Sequence, residues 1–273
     1  LAAAFLMSGF FAPQQAFAAA GVTPASDGTN ISIDTTSAGG TSTFSNLNGP
    51  AIAETVAGDI VAGTHTVTLP SGWEFDISSN ITISKFGGNI VLGSTSVTPT
   101  QTSFSFVVIN QSTSGSILGF SNLKVRPTGT VSGTTGNMTY SGAGIIGVDG
   151  STNFGTLSTV PGTVTKLAFT TEPGCAVYGS LLSPQPVVKT QDQFGNDSTN
   201  GSSGKTATLT LTGAGTLLGT FALDISSGTA TFADLAVNEV GAGKILIATA
   251  DGLTPADSSS FEVTQKPLTA TVT

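Results

Sequence analysis

The residues able to do chemistry are few. The chain has one histidine, His65, and one cysteine, Cys175, among 273 residues. A nucleophilic triad needs a base held beside a serine and an acid. His65 instead falls in phase with Val67 and Leu69, which predicts a partly buried strand residue. Ser114-Gly115-Ser116 lacks the spacing and the helix of a nucleophile elbow. A single histidine and a single cysteine rule out clusters built from several of either. Glu74 and Asp76 lie two apart, on one solvent-facing side of a strand, where a solvated face is expected rather than a glycosidase pair. Gly204-Lys205-Thr206 precedes a strand pattern and not a helix, so it is no phosphate loop. One cluster remains. Asp192, Asn196 and Asp197 offer oxygens that could join a Ca²⁺ site, but a hard cation takes six or more oxygens and only three residues are at hand. The same stretch, Asp192 to Asn196 with Gly195 inside it, reads more readily as a turn closed by Asx hydrogen bonds. No other cofactor is suggested.

Composition narrows the partners. Charged residues make up 9% of the chain, and eight basic against sixteen acidic residues leave a net charge of −8. Binding to nucleic acid needs clustered Lys and Arg, so it is not expected. Apolar residues reach 38%, and they alternate in short runs that can offset the entropy of folding, unlike those of a disordered chain. The six Asn-x-Ser/Thr sequons, at Asn30, Asn80, Asn110, Asn137, Asn196 and Asn200, carry little information in a chain so rich in Ser and Thr.

The first stretch reads as an address. Leu1 to Ala12 is an apolar run, short for a membrane span, and Ala16-Phe17-Ala18 is a small-x-small cleavage signal. Residues 1–18 are expected to form the helix of an N-truncated signal peptide, cut between Ala18 and Ala19. A cut after Ala20 is the near alternative. No later stretch is long and apolar enough to cross a membrane.

The remainder alternates with period two. Thr64, Thr66 and Thr68 face away from His65, Val67 and Leu69; Trp73, Phe75 and Ile77 share a face; Phe104, Phe106 and Val108 form another apolar row. Turn clusters such as Asn48-Gly49-Pro50 and Gly87-Gly88-Asn89 recur every ten residues or so, and no helical period appears. The expected fold class is all-β: two tandem β-sandwich domains, the first jelly-roll or cohesin-like and the second Ig-like. Residues 19–162 form the first, 163–264 the second, and Ser158–Val164, with Pro161 and Gly162, the linker between them.

Two resemblances bear on this. The run Thr66 to Asp76, with Leu69-Pro70-Ser71-Gly72-Trp73-Glu74-Phe75, resembles a strand pair of bacterial surface sandwiches of the cohesin-like and pilin-like kind. The second half resembles bacterial Ig-like repeats of the invasin and intimin kind. It does so through Val188, Asp192, Gly195 and Asn196, then Gly228, Ala230, Phe232 and Leu235, then Ala248, Ala250, Gly252 and Leu253. Residues 265–273 resemble the start of a further repeat.

The resemblance implies a non-enzymatic, exported cell-surface module acting as a stalk, spacer or adhesin. Its partners would be other surface proteins, host or cell-wall glycans, and further repeats of the same chain. Alternatives are a carbohydrate- or protein-binding module, for which an exposed Trp73 would argue, the accessory region of an extracellular enzyme, and a self-assembling subunit joined through Thr-rich strand edges.

Overall fold

The computed structural model describes residues 19–267. The expected signal-peptide helix, residues 1–18, lies outside the described residues, as does the end of the 265–273 tail. Among the described residues the regular structure is β-strand, with one 3₁₀ turn at Ile33–Thr35 and no α-helix. The chain divides into two compact units. The first holds Phe44–Arg126 and Thr135–Leu157 together with the chain up to Thr29. The second holds Ser158 onward and also takes in Asn30–Thr43 and Pro127–Thr134.

In the first unit two sheets face each other. One runs, in spatial order, Gly21–Thr23, Ala51–Ala53, Ile117–Ser121, Ile81–Phe86, Ser96–Val97. The other runs Thr139–Gly142, Gly63–Thr68, Ser103–Asn110, Val91–Leu92. The alternation sorts their side chains. His65 and Val67 pair with Phe106 and Phe104 and point inward with them, while Thr66 and Ser105 point out and bond through their hydroxyls at 2.8 Å. Phe120 crosses from the first sheet to stand 5.5 Å from Phe104 and 5.1 Å from Phe106, centroid to centroid. A third, smaller sheet joins Ser45–Leu47, Leu123–Pro127 and Trp73–Phe75. Trp73 and Phe75 are buried, as their phase predicts. Ile77 is not: it is 54% exposed. The strand stops at Phe75, because Asp76 Oδ1 accepts from the Ser78 amide and hydroxyl and turns the chain before the alternation can continue.

The second unit repeats the plan. Lys166–Thr171, Val187–Gln191 and Thr229–Thr231 make one sheet. Ala176–Val177, Phe261–Thr264, Gly241–Thr249, Thr206–Thr212 and Ala222–Asp224 make the other. Leu167, Val188 and Ala230 belong to the same buried cluster as Ala207, Leu209, Leu246, Ala248, Phe261 and Val263. Burying one such Leu or Phe side chain contributes about 1.5–3 kcal/mol. These strands are short and β-branched, and each presents one apolar face to the other sheet.

Candidate functional site

The Asp192 cluster lies in the loop after the strand Val187–Gln191. Asp192 is fully buried, and amide hydrogens surround its carboxylate. Oδ1 accepts from the backbone N–H of Phe194 at 2.9 Å and of Asn196 at 3.0 Å. Oδ2 accepts from the backbone N–H of Gly162 at 2.9 Å and from Asn196 Nδ2, also at 2.9 Å. Gly195 between them has φ +92°, the left-handed conformation a glycine takes without cost. Asn196 reaches onward: Nδ2 donates to the Thr130 carbonyl at 2.9 Å, and Oδ1 accepts from the Ser132 amide at 3.1 Å.

Asp34 works beside it. Its Oδ2 accepts from the Thr163 amide at 2.8 Å. Gly162 is pressed between the two acids, for a Cβ there would lie 2.1 Å from Asp34 Oδ1. Ser198 closes the ring, donating to the Gly162 carbonyl at 2.5 Å. The Asp192 carboxylate thus ties the stretches around 162 and 194 directly, while Asn196 adds the stretch around 131 and Asp34 bonds Thr163 next to Gly162.

The three residues named for Ca²⁺ do not converge. Asp192 and Asn196 bond each other, whereas Asp197 turns to Lys189 Nζ at 2.6 Å and Gln191 Nε2 at 3.1 Å. The Lys189 ammonium bonded to it holds the Asp197 carboxyl below its ordinary value. What gathers at Asp192 is N–H donors, the opposite of a hard-cation shell.

The other candidates have comparable employment. His65 is buried; Nε2 donates to the Val61 carbonyl at 2.8 Å and Nδ1 faces the Tyr140 hydroxyl at 2.7 Å, which also touches the Ala143 carbonyl. Burial pushes the imidazole below its ordinary value and the Tyr140 phenol up to about 12. Glu74 receives Arg126 Nε at 2.6 Å, and the guanidinium lies 4.1 Å over the Phe44 ring, so the acid pairs across strands and not with Asp76. Cys175 is exposed. Among the described residues no three His, Cys, Asp or Glu side chains are grouped to hold a metal.

Two further braces were not among the residues singled out from the sequence. Buried Asp59 accepts from the amides of Thr55 and Val56 at 2.9 and 2.8 Å. Glu54 accepts from the Ser112 hydroxyl at 2.6 Å and the Ser116 amide at 2.8 Å. The first is an Asp three and four residues from its donors and was findable as a local loop; the second spans some sixty residues and carried no local signal.

No protein-family model and no curated protein sequence matches the chain. Among solved structures it is similar to the D0-D1 domain of intimin, at 14% identity over 77% of this chain and 93% of that one, with a TM-score of 0.27. It is also similar to BcpA, the major pilin subunit of Bacillus cereus, at 10% identity over 90% of this chain and 69% of that one, TM-score 0.30. A third likeness is to the adhesin domain of Epf from Streptococcus pyogenes, at 10% identity over 84% and 76%, TM-score 0.23. The site is therefore read from its own geometry.

Proposed function

We propose that this chain is an exported, non-catalytic module that serves as a spacer or adhesive segment at a cell surface. One observation carries the reading: the buried acids Asp59 and Asp192, with Glu54 and the single histidine, are spent on holding the fold. Asp192, Asp59, Glu54 and His65 all saturate loop amides, hydroxyls or carbonyls inside the fold. A group held this way is neither free to shuttle a proton nor open to a substrate. The arrangement suits a part whose task is to keep its shape outside the cell, where two sandwich units joined in one chain set a distance.

The two candidate cleavage points differ in the bonds they would leave. Ala20 N–H donates to the Ile146 carbonyl at 2.8 Å, and the Ala19 carbonyl accepts from the Thr55 hydroxyl at 3.1 Å. A cut between Ala18 and Ala19 keeps both bonds, whereas a cut after Ala20 removes them. The test is N-terminal sequencing of the protein recovered outside its own cells. The sequence Ala19-Ala20-Gly21-Val22 is expected. Recovery only from the cell interior, with residues 1–18 still attached, would contradict the reading.

A further inference from the structure

Trp73, whose exposure would have suggested sugar binding, is buried in the core. Three aromatics reach the surface among the described residues, Phe86, Tyr178 and Phe221, and the most exposed is Phe86, 58% exposed on the strand Ile81–Phe86. Its place follows from the alternation: Ile81 and Ile83 point inward, so Ser84 and Phe86 share the outer side. Across the sheet, Ser84 pairs with Gly119 and Phe86 with Ile117.

Gly119 decides how the ring lies. A Cβ at 119 would stand 3.2 Å from Phe86 Cε2, so the ring rests against bare backbone and keeps its other face to solvent. Beside it opens a groove of about 220 Å³, with Pro50, Gly119 and Phe86 supplying apolar surface and Asn48, Ser84 and Ser121 polar groups. Among the described residues, the side chains of Asn48, Ser84 and Ser121 have no hydrogen-bond partner within the protein. No charged side chain lines the groove, in a chain whose net charge is −8.

We propose that this groove binds one neutral pyranose ring of a polysaccharide. The inference deepens the reading of an exported adhesive module and rests on it. A sugar ring carries an apolar C–H face and a hydroxyl edge. The face meets the negative face of the Phe86 ring, as electropositive C–H groups do. The edge meets an amide and two hydroxyls that can each donate and accept. A pocket below the range of drug-sized ligands has room for a single ring. The uncharged lining gives a uronate or phosphate polymer no counter-charge, and the net negative chain repels it. A single ring binds weakly, so retention comes from a polymer surface that offers many rings to many displayed modules.

The experiment is retention of the full purified chain on insoluble cellulose, chitin, mannan and cross-linked dextran, with pectate gel as the anionic control. Retention on at least one neutral polymer and not on pectate is expected. Phe86→Ala should weaken retention about tenfold, and Phe86→Trp should restore it. Because Phe86 is exposed, both variants should melt with the parent, which separates lost binding from lost folding. Absence of retention on all four neutral polymers overturns the proposal. So does retention that Phe86→Ala leaves unchanged. Either result, with the protein still found on the cell surface, would sink the groove alone. Absence from the surface would sink the underlying reading.

Discussion

Asp192 braces the loops of the second unit with hydrogen bonds from Gly162, Phe194 and Asn196. Cutting its side chain back to a methyl group leaves the amides of Gly162, Phe194 and Asn196 without their acceptor. A buried donor left unmet costs about 1–3 kcal/mol, so Asp192→Ala should destabilise the unit by about 3 kcal/mol or more. Asp192→Asn keeps one acceptor oxygen and should cost less. Urea unfolding followed by far-ultraviolet circular dichroism reads both, and an unchanged midpoint for Asp192→Ala would deny the brace. His65 sets a pH dependence of its own. Its folded pKa lies below the ordinary 6.5 because burial disfavours the imidazolium. The unfolded chain therefore takes up the proton first, and the stability His65 contributes is present above about 6.5 and lost as pH falls below it. Asp76, held down chiefly by the Ser78 hydroxyl, and Asp197, held down by Lys189, act in a lower window. Their contribution is present above about 3.8 and lost below that. A denaturation midpoint measured from pH 7 to pH 3 should fall in two stages, and His65→Gln should remove the upper one.

At the scale of elements, the strands follow from their own residues and the loops do not. Thr64 to Leu69 alternates, and the structure sets the threonines outward and His65, Val67 and Leu69 inward. The same rule placed Trp73 in the core and, carried through Ile81 to Phe86, would have placed Phe86 outside. It failed at Ile77, where a side chain of the turn, Asp76, ended the strand. The Asp192–Asn196 stretch was legible as a turn because Asx bonding is local. That its second oxygen would serve Gly162, and that Asp34 would bond Thr163 from 129 residues away, was not legible, since no sequence rule pairs loops at that distance. Gly162 is the sharpest consequence of that meeting. Its missing side chain lets Asp34 and Asp192 close on the same peptide segment. Gly162→Ala should push the Asp34 carboxylate off Thr163 and cost about 2 kcal/mol or more, measured by thermal melting. A melting temperature equal to the parent's would mean that the loop yields freely.

At the scale of the whole molecule, the two units are held in the same way. Both units bury apolar rows between sheets, and their buried acids are turned to backbone amides. Trp73 Nε1 is the one buried side-chain polar atom without a partner among the described residues. Low charge follows from the same design, since outward rows of Thr and Ser keep strands soluble while adding few ion pairs. The account stands or falls on where the protein resides. The decisive measurement is antibody labelling of the two sandwich units on intact cells of the source organism, compared with the same cells after permeabilisation. Equal labelling before and after is the result predicted for a module displayed on the surface. Labelling that appears only after permeabilisation would contradict it.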